Sequence, residues 1–255
     1  LSEDISVLRM DEVELPPPGE GEVRLGLKAC SINFPDILMV QGKYQFKPEL
    51  PFSPGMEGAG VVLEVGPGVT SLKPGDEVVA GLRVGGFAEE VNAQASACRP
   101  IPKGMDFIKA AAYPAAYLTA YVALVIRGNL QKGETLLVHG ATGGVGMAAV
   151  DVGKLLGATV IATSASDEKL DAVKKRGADY TLNVTEGFKD KVKELTDGRG
   201  ADVIYDPVGG DVFDESVRCI AWNGRLLIIG FTSGRIPSVP VNMPLIKGFS
   251  VIGVR

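Results

Sequence analysis

Thr135-Leu136-Leu137-Val138-His139-Gly140-Ala141-Thr142-Gly143-Gly144-Val145-Gly146 is the stretch that decides the fold. Its first four residues form a short continuous apolar run, the pattern of a strand buried on both faces. The glycine-rich hexamer then opens an apolar helical segment running to Leu156. A hexamer of this kind is weak evidence alone, because glycine is common in turns. Between a strand and a helix it matches a dinucleotide-phosphate turn. Gly143 lets the backbone approach a pyrophosphate, and Gly146 lets the helix pack closely on the strand. The helix N-terminus, with Thr142, Gly144 and Val145 around it, offers N–H groups and positive dipole to the anion. Ala141 stands where the first motif glycine belongs, and a purely structural turn is the plainer alternative.

Downstream the rhythm continues. Thr159–Ala162, Ala201–Tyr205, Arg225–Ile229 and Phe249–Val254 are further short apolar runs separated by helical segments. Ser166 reads as the cap of one helix, with Asp167 and Glu168 in its first turn, Lys174, Lys175 and Arg176 in its last, and Gly177 as its stop. Phe188, Val192 and Leu195 recur at helical spacing in the next. This is a doubly wound parallel α/β sheet. An NAD-selective site places an Asp or Glu at the end of the second strand, on the ribose 2′-hydroxyl. Here the chain reads Thr163-Ser164-Ala165-Ser166. Ser164 does not repel a 2′-phosphate and Lys169 can pair with it, so NADPH is expected over NADH, with Asp167 explained as a helix-capping acid.

Upstream the character is different. Glu22–Lys28 places apolar side chains at every second position, and Val61–Val65 and Asp76–Ala80 follow, set apart by Gly66-Pro67-Gly68 and Lys73-Pro74-Gly75. This half reads as a twisted, mostly antiparallel, barrel-like domain. Ala110–Val125 is expected to bridge the halves as a helix or pair of helices broken at Pro114. The domains are expected at 1–112 and 113–255.

Composition narrows the function. Net charge is −5 with no cluster of Lys or Arg, which argues against a nucleic-acid partner. No segment reads as an uninterrupted membrane span, and the N-terminus is acidic, unlike a signal peptide. Cys30, Cys98 and Cys219 are far apart and odd in number, so they read as small buried residues of a reducing, cytoplasmic compartment.

The chain resembles the medium-chain dehydrogenase/reductase superfamily, and within it the quinone oxidoreductase (zeta-crystallin-like) group. Ala29–Asp36, Gly42-Lys43-Tyr44, Leu50–Glu57, Gly85–Glu89, Leu118–Tyr121 and His139–Gly146 carry the likeness, along nearly the whole chain. The resemblance implies a GroES-like, mainly β catalytic domain beside a Rossmann domain, a first strand before Leu1 and a return segment beyond Arg255. It implies a homodimer through the last Rossmann strand. Zinc-dependent relatives bind the metal at positions that here are Asn33, Met56 and a residue near Ala115, so the resemblance implies a zinc-free enzyme. Hydride would pass from NADPH to a small-molecule quinone or α,β-unsaturated carbonyl.

By the same resemblance, Asn33 and Tyr44 would hydrogen-bond the developing enolate, with Tyr44 the proton donor and Asp36 orienting them. Their plainer readings are a helix cap, a packing tyrosine and a first-turn acid. A second tyrosine of some relatives is Leu38 here. Thr119 would lie near the nicotinamide, with Val208 and Gly230-Phe231 in loops at the carboxyl ends of strands. His139 and Trp222 read as packing residues, and Lys189–Lys193 as a solvated helix face. The alternatives are an enoyl-thioester reductase, and a non-catalytic NADPH-binding protein of the crystallin or RNA-binding kind.

Overall fold

A computed structural model describes residues 4–255, which divide into two compact units, the first closing at Ala115 and the second running from Ala116 to Arg255.

The first unit is built on one antiparallel sheet. Its strands are β1 (Glu22–Cys30), β2 (Glu57–Val65), β3 (Glu77–Gly81), β4 (Glu90–Gln94) and β5 (Cys98–Pro100), in the order β4-β1-β2-β3-β5. The period-two pattern of β1 sends Val23 and Leu25 into a core with Val62, Val78 and Ala80. Each fully buried Val or Leu stabilises the unit by about 1.5–3 kcal/mol. Gly68 and Gly75 take the positive φ that their Pro-Gly turns demand (78° and 92°). Between β1 and β2 lies the short helix α1 (Phe34–Val40), with a proline at its start.

Helix α2 (Phe107–Tyr121) corrects the expectation that Pro114 breaks this segment, because the helix continues through the proline and then into a π-helical turn at Val122–Arg127. The continuous helix Phe107–Arg127 is 21 residues long with a mean hydropathy of 1.3 in its most apolar window. By length and composition alone it matches a membrane span, as the core helix of a soluble protein also does.

The second unit is a six-stranded parallel sheet. Its elements alternate: β6 (Thr135–Val138), α3 (Gly144–Leu155), β7 (Thr159–Ser164), α4 (Asp167–Lys175), β8 (Tyr180–Asn183), α5 (Lys189–Leu195), β9 (Ala201–Asp206), α6 (Gly210–Cys219), β10 (Ile220–Ile228), α7 (Asn242–Lys247) and β11 (Ser250–Gly253). The order is β11-β10-β9-β6-β7-β8, so the chain reverses direction across the sheet at β6 and β9. Ligands of such sheets bind at the carboxyl ends of the strands beside that switch point. One face packs on α3 through Leu136, Val138, Ala148 and Ala149, and the other on α5 and α6 through Leu137, Ile204, Val192 and Phe213.

Two features escaped the sequence pattern. β8 is a partly polar edge strand without the apolar run of its neighbours. β10 begins earlier than the apolar run and is irregular between Ile220 and Arg225, which leaves Trp222 70% exposed rather than packed. Cys30 also differs from expectation in being exposed, whereas Cys98 and Cys219 are buried.

Candidate functional site

In the second unit, the hexamer forms the turn between β6 and α3. Gly143 is the N-cap of α3, with no side chain capping it, so the first N–H groups of this 12-residue helix stay open to an anion. A Cβ on Gly146 would lie 2.2 Å from the Gly140 carbonyl oxygen and 2.8 Å from the Ala141 Cα, so this glycine is required by packing. A Cβ on Gly144 would meet nothing within 4 Å, and one on Gly143 only the Gly140 oxygen at 3.4 Å. Space remains over the turn where a phosphate would approach, and the residues present fit a dinucleotide.

At the end of β7, Ser164 Oγ lies 3.2 Å from Thr142 Oγ1 and accepts from the Ser166 N–H at 3.3 Å. β7 itself ends on Ser164, without a carboxylate. Ser166 caps α4 by accepting from the Lys169 N–H at 3.4 Å, and the Lys169 side chain is exposed. The Asp167 carboxylate accepts from Asn183 Nδ2 at 2.9 Å. This bond faces β8 and adds to the first-turn placement that explained Asp167.

The loops after β9 and β10 are organised by Asp206. Its Oδ1 accepts from the N–H groups of Val208 (2.8 Å) and Gly209 (2.9 Å), and its backbone oxygen from Ile229 (2.9 Å) and Gly230 (3.4 Å). Asp206 is 1% exposed, and burial pushes its carboxyl above the usual range despite the two N–H donors. Val208 lies within van der Waals reach of a Cβ on Gly140, so this loop borders the phosphate turn. Gly230 and Phe231 open the next loop, where the Thr232 N–H reaches the Pro207 oxygen at 3.1 Å. Thr119, on α2, is half-buried, and no hydrogen bond joins it to the turn among the described residues.

His139 is fully buried at the end of β6, between Thr163 Oγ1 (2.9 Å from Nδ1) and Ser216 Oγ (2.8 Å from Nε2). Burial pushes its pKa down to about 3, so the ring is neutral and out of reach of solvent. The packing role expected of it is the one it has.

In the first unit, Asn33 and Asp36 sit at the start of α1. Asp36 Oδ2 accepts from the Asn33 N–H at 2.8 Å and Oδ1 from the Gly55 N–H at 3.2 Å, tying the helix start to the loop before β2. That carboxyl is buried, and desolvation raises its pKa above the usual value. Gly55 pairs in turn with Gly86, so the Ser53–Glu57 and Gly85–Phe87 motifs are two sides of one structure. Tyr44 is half-buried in the loop after α1, its N–H on the Leu38 oxygen at 3.2 Å.

The residue that sequence reasoning missed is Glu57. Although 2% exposed, it accepts through Oε1 from the Ser31 hydroxyl and from Asn33 Nδ2 (2.9 Å), and through Oε2 from the Ala115 N–H (2.7 Å), next to Pro114. Asn33 Nδ2 also donates to Ser31 Oγ at 3.0 Å. A carboxylate cannot donate, so Glu57 fixes which end of the Asn33 amide faces it, and that amide group is engaged within the unit. The available signal was a lone acid opening the apolar run Gly58–Leu63. These bonds also occupy the oxygens of Asp36 and Glu57. Among the described residues no three His, Cys, Asp or Glu side chains gather as metal ligands.

A nucleotide turn on a doubly wound sheet, preceded in the chain by a GroES-like antiparallel unit, defines a two-unit dehydrogenase/reductase. Residues 19–103 match the family described as alcohol dehydrogenase GroES-like domain, and residues 144–255 the one described as zinc-binding dehydrogenase. The chain is 50% identical over 240 residues to quinone oxidoreductase-like protein 2 homolog of Nematostella vectensis, covering 92% of this chain and 65% of that one, so it spans about two thirds of that relative's length. It is 42% identical to the quinone oxidoreductase-like protein 2 of Mus musculus, covering 97% of this chain and 71% of that one. Escherichia coli quinone oxidoreductase, solved in complex with NADPH, superposes with a TM-score of 0.87 at 33% identity, over 96% of this chain and 75% of that one. This chain belongs to the medium-chain dehydrogenase/reductase superfamily, in its quinone oxidoreductase group.

Proposed function

We propose that this chain belongs to an NADPH-dependent, zinc-independent oxidoreductase that reduces a quinone or an α,β-unsaturated carbonyl. One observation carries the reading: the uncapped start of α3 opens beside Ser164 and Thr142, where no carboxylate opposes a 2′-phosphate. Bound there, the nicotinamide supplies the hydride. The chain's own residues do the rest. Gly144–Gly146 hold the pyrophosphate, Lys169 and Ser164 meet the 2′-phosphate, and the loops at Val208 and Gly230-Phe231 flank the nicotinamide half, with Thr119 near it.

In the first unit, Tyr44 supplies the proton to the reduced substrate. Asn33, held by Glu57, and Asp36 shape its surroundings. The absence of a zinc ligand set at Asn33 and Met56 supports hydrogen bonding in place of a metal for stabilising charge on the substrate oxygen. A cytoplasmic, reducing location is part of the proposal, in keeping with three unpaired cysteines.

The test follows NADPH oxidation by the full-length protein against 1,2- and 1,4-quinones, alkenals and a crotonyl thioester. Turnover on quinones or alkenals is expected. Turnover confined to the thioester would make it an enoyl-thioester reductase, and tight NADPH binding with no turnover anywhere would sink the enzyme reading. Equal affinity for NADH and NADPH would refute the assignment of Ser164 and Lys169.

A further inference from the structure

The sequence reads Lys189–Lys193 as a solvated helix face, and on that face Lys189 and Lys193 also line an open hollow of about 750 Å3. α5, α6, the segment before α7 and α7 itself form its walls. The volume falls in the range of small-molecule sites, roughly 300–1,000 Å3. Phe213 and Val217, both buried, and Met243 give it an apolar wall.

Five cations reach this cavity, and they are not equally engaged. Arg235 is held by Asp211 at 2.8 Å and Asp214 at 2.5 Å, and Lys189 by Asp190 at 3.2 Å. Glu215, close by, is turned away to the N–H groups of Phe188 (2.7 Å) and Lys189 (2.8 Å). Lys193, Arg218 and Lys247 have no carboxylate partner among the described residues. Lys247 is fixed in place, because its Nζ donates to the oxygens of Val217 (3.4 Å), Arg218 (3.2 Å) and Ile220 (3.3 Å) at the end of α6. Burial, and then the charge of Lys193, push its ammonium below the ordinary lysine range. Lys193 and Arg218 are thus left to face one hollow without an ion-pair partner, beside Asp214, which Arg235 holds. Placing like charges together around apolar side chains is unfavourable until an anion joins them.

The geometry points to a second ligand site: the hollow between α5, α6 and α7 binds a small amphipathic oxyanion, its phosphate or carboxylate head on Lys193 and Arg218 and its apolar body on Phe213, Val217 and Met243. The helices that form it cover the face of the sheet opposite α3. A ligand here is therefore distinct from the nucleotide and leaves the phosphate turn free.

The test is calorimetric titration of the chain with octyl phosphate, with and without saturating NADPH. One saturable site is expected, with a Kd of roughly 10–100 µM that NADPH does not change. Octanol and inorganic phosphate, each lacking one half of the recognition, should bind about tenfold weaker or less. Lys193→Gln and Arg218→Gln, both at side chains reaching solvent, should each weaken octyl phosphate about tenfold while leaving the melting temperature and NADPH affinity unchanged.

Absence of saturable binding overturns the proposal, as does binding that the two substitutions leave intact or that NADPH displaces. Binding to anionic vesicles without binding to soluble octyl phosphate would assign the face to a membrane surface instead. A dimer that dissociates on either substitution would assign it to a second copy.

Discussion

His139 shows how one buried side chain couples to pH. Ser216 Oγ donates to the Val212 oxygen at 2.7 Å, so it accepts from His139 Nε2–H, and Nδ1 is left to accept from the Thr163 hydroxyl. Both ring nitrogens are satisfied in the neutral form, and burial without a countercharge disfavours the charged one. The folded-state pKa is depressed to about 3 from 6.5. Between those values the unfolded chain takes up a proton that the folded chain refuses. The stabilisation is therefore complete above pH 6.5 and is lost as pH falls from there toward 3. Urea unfolding of the wild type should lose about 1.4 kcal/mol per pH unit from this group below pH ~6.5, a slope that His139→Gln lacks. Wild-type and variant curves of equal steepness would show that the ring is not held neutral.

At the scale of the element, the α3 turn separates two jobs that adjacent glycines perform. Gly146→Ala drives a methyl into the Gly140 carbonyl at 2.2 Å, so it should destabilise the unit by about 1–3 kcal/mol and displace the turn. Gly144→Ala meets nothing within 4 Å and should fold as well as the wild type, or up to about 1 kcal/mol better. Its methyl nevertheless fills the space a phosphate needs, so NADPH affinity should fall tenfold or more, about 1.4 kcal/mol or above. Thermal unfolding paired with NADPH fluorescence titration separates the two effects. A Gly144→Ala protein with wild-type NADPH affinity would place the pyrophosphate elsewhere. α2 carries a related lesson: Pro114 was read as a break, yet the helix continues, and the neighbouring Ala115 N–H donates to Glu57.

For the whole molecule, β11 is an edge strand, paired with β10 on one side only. Its Val251 is exposed, and so are Ile236, Val241, Leu245 and Ile246 in the segment leading to it. An open edge with apolar neighbours is a template for pairing with another chain. We therefore predict a homodimer formed by β11 against its copy across a two-fold axis. Sedimentation of the wild type should give a dimer, and Val251→Asp, which brings like charges together at that axis, should give a folded monomer. A wild-type monomer would remove this edge from the interface.

The sequence by itself determined the parallel α/β unit, its phosphate turn and the antiparallel unit before it, because strand runs, Pro-Gly turns and helix caps are local signals spaced along the chain. The apolar run Thr135–Val138 and the glycines behind it needed no partner to be legible. Only the tertiary structure decided what depends on distant residues meeting. Glu57 became the hub of Ser31, Asn33 and Ala115 because β1, α1 and α2 bring three donors to one buried carboxylate. The polar strand β8 exists because β7 offers it an edge, and Trp222 is exposed because β10 is irregular there. In each case a contact between residues far apart in the chain, which no local pattern encodes, overrode the local reading.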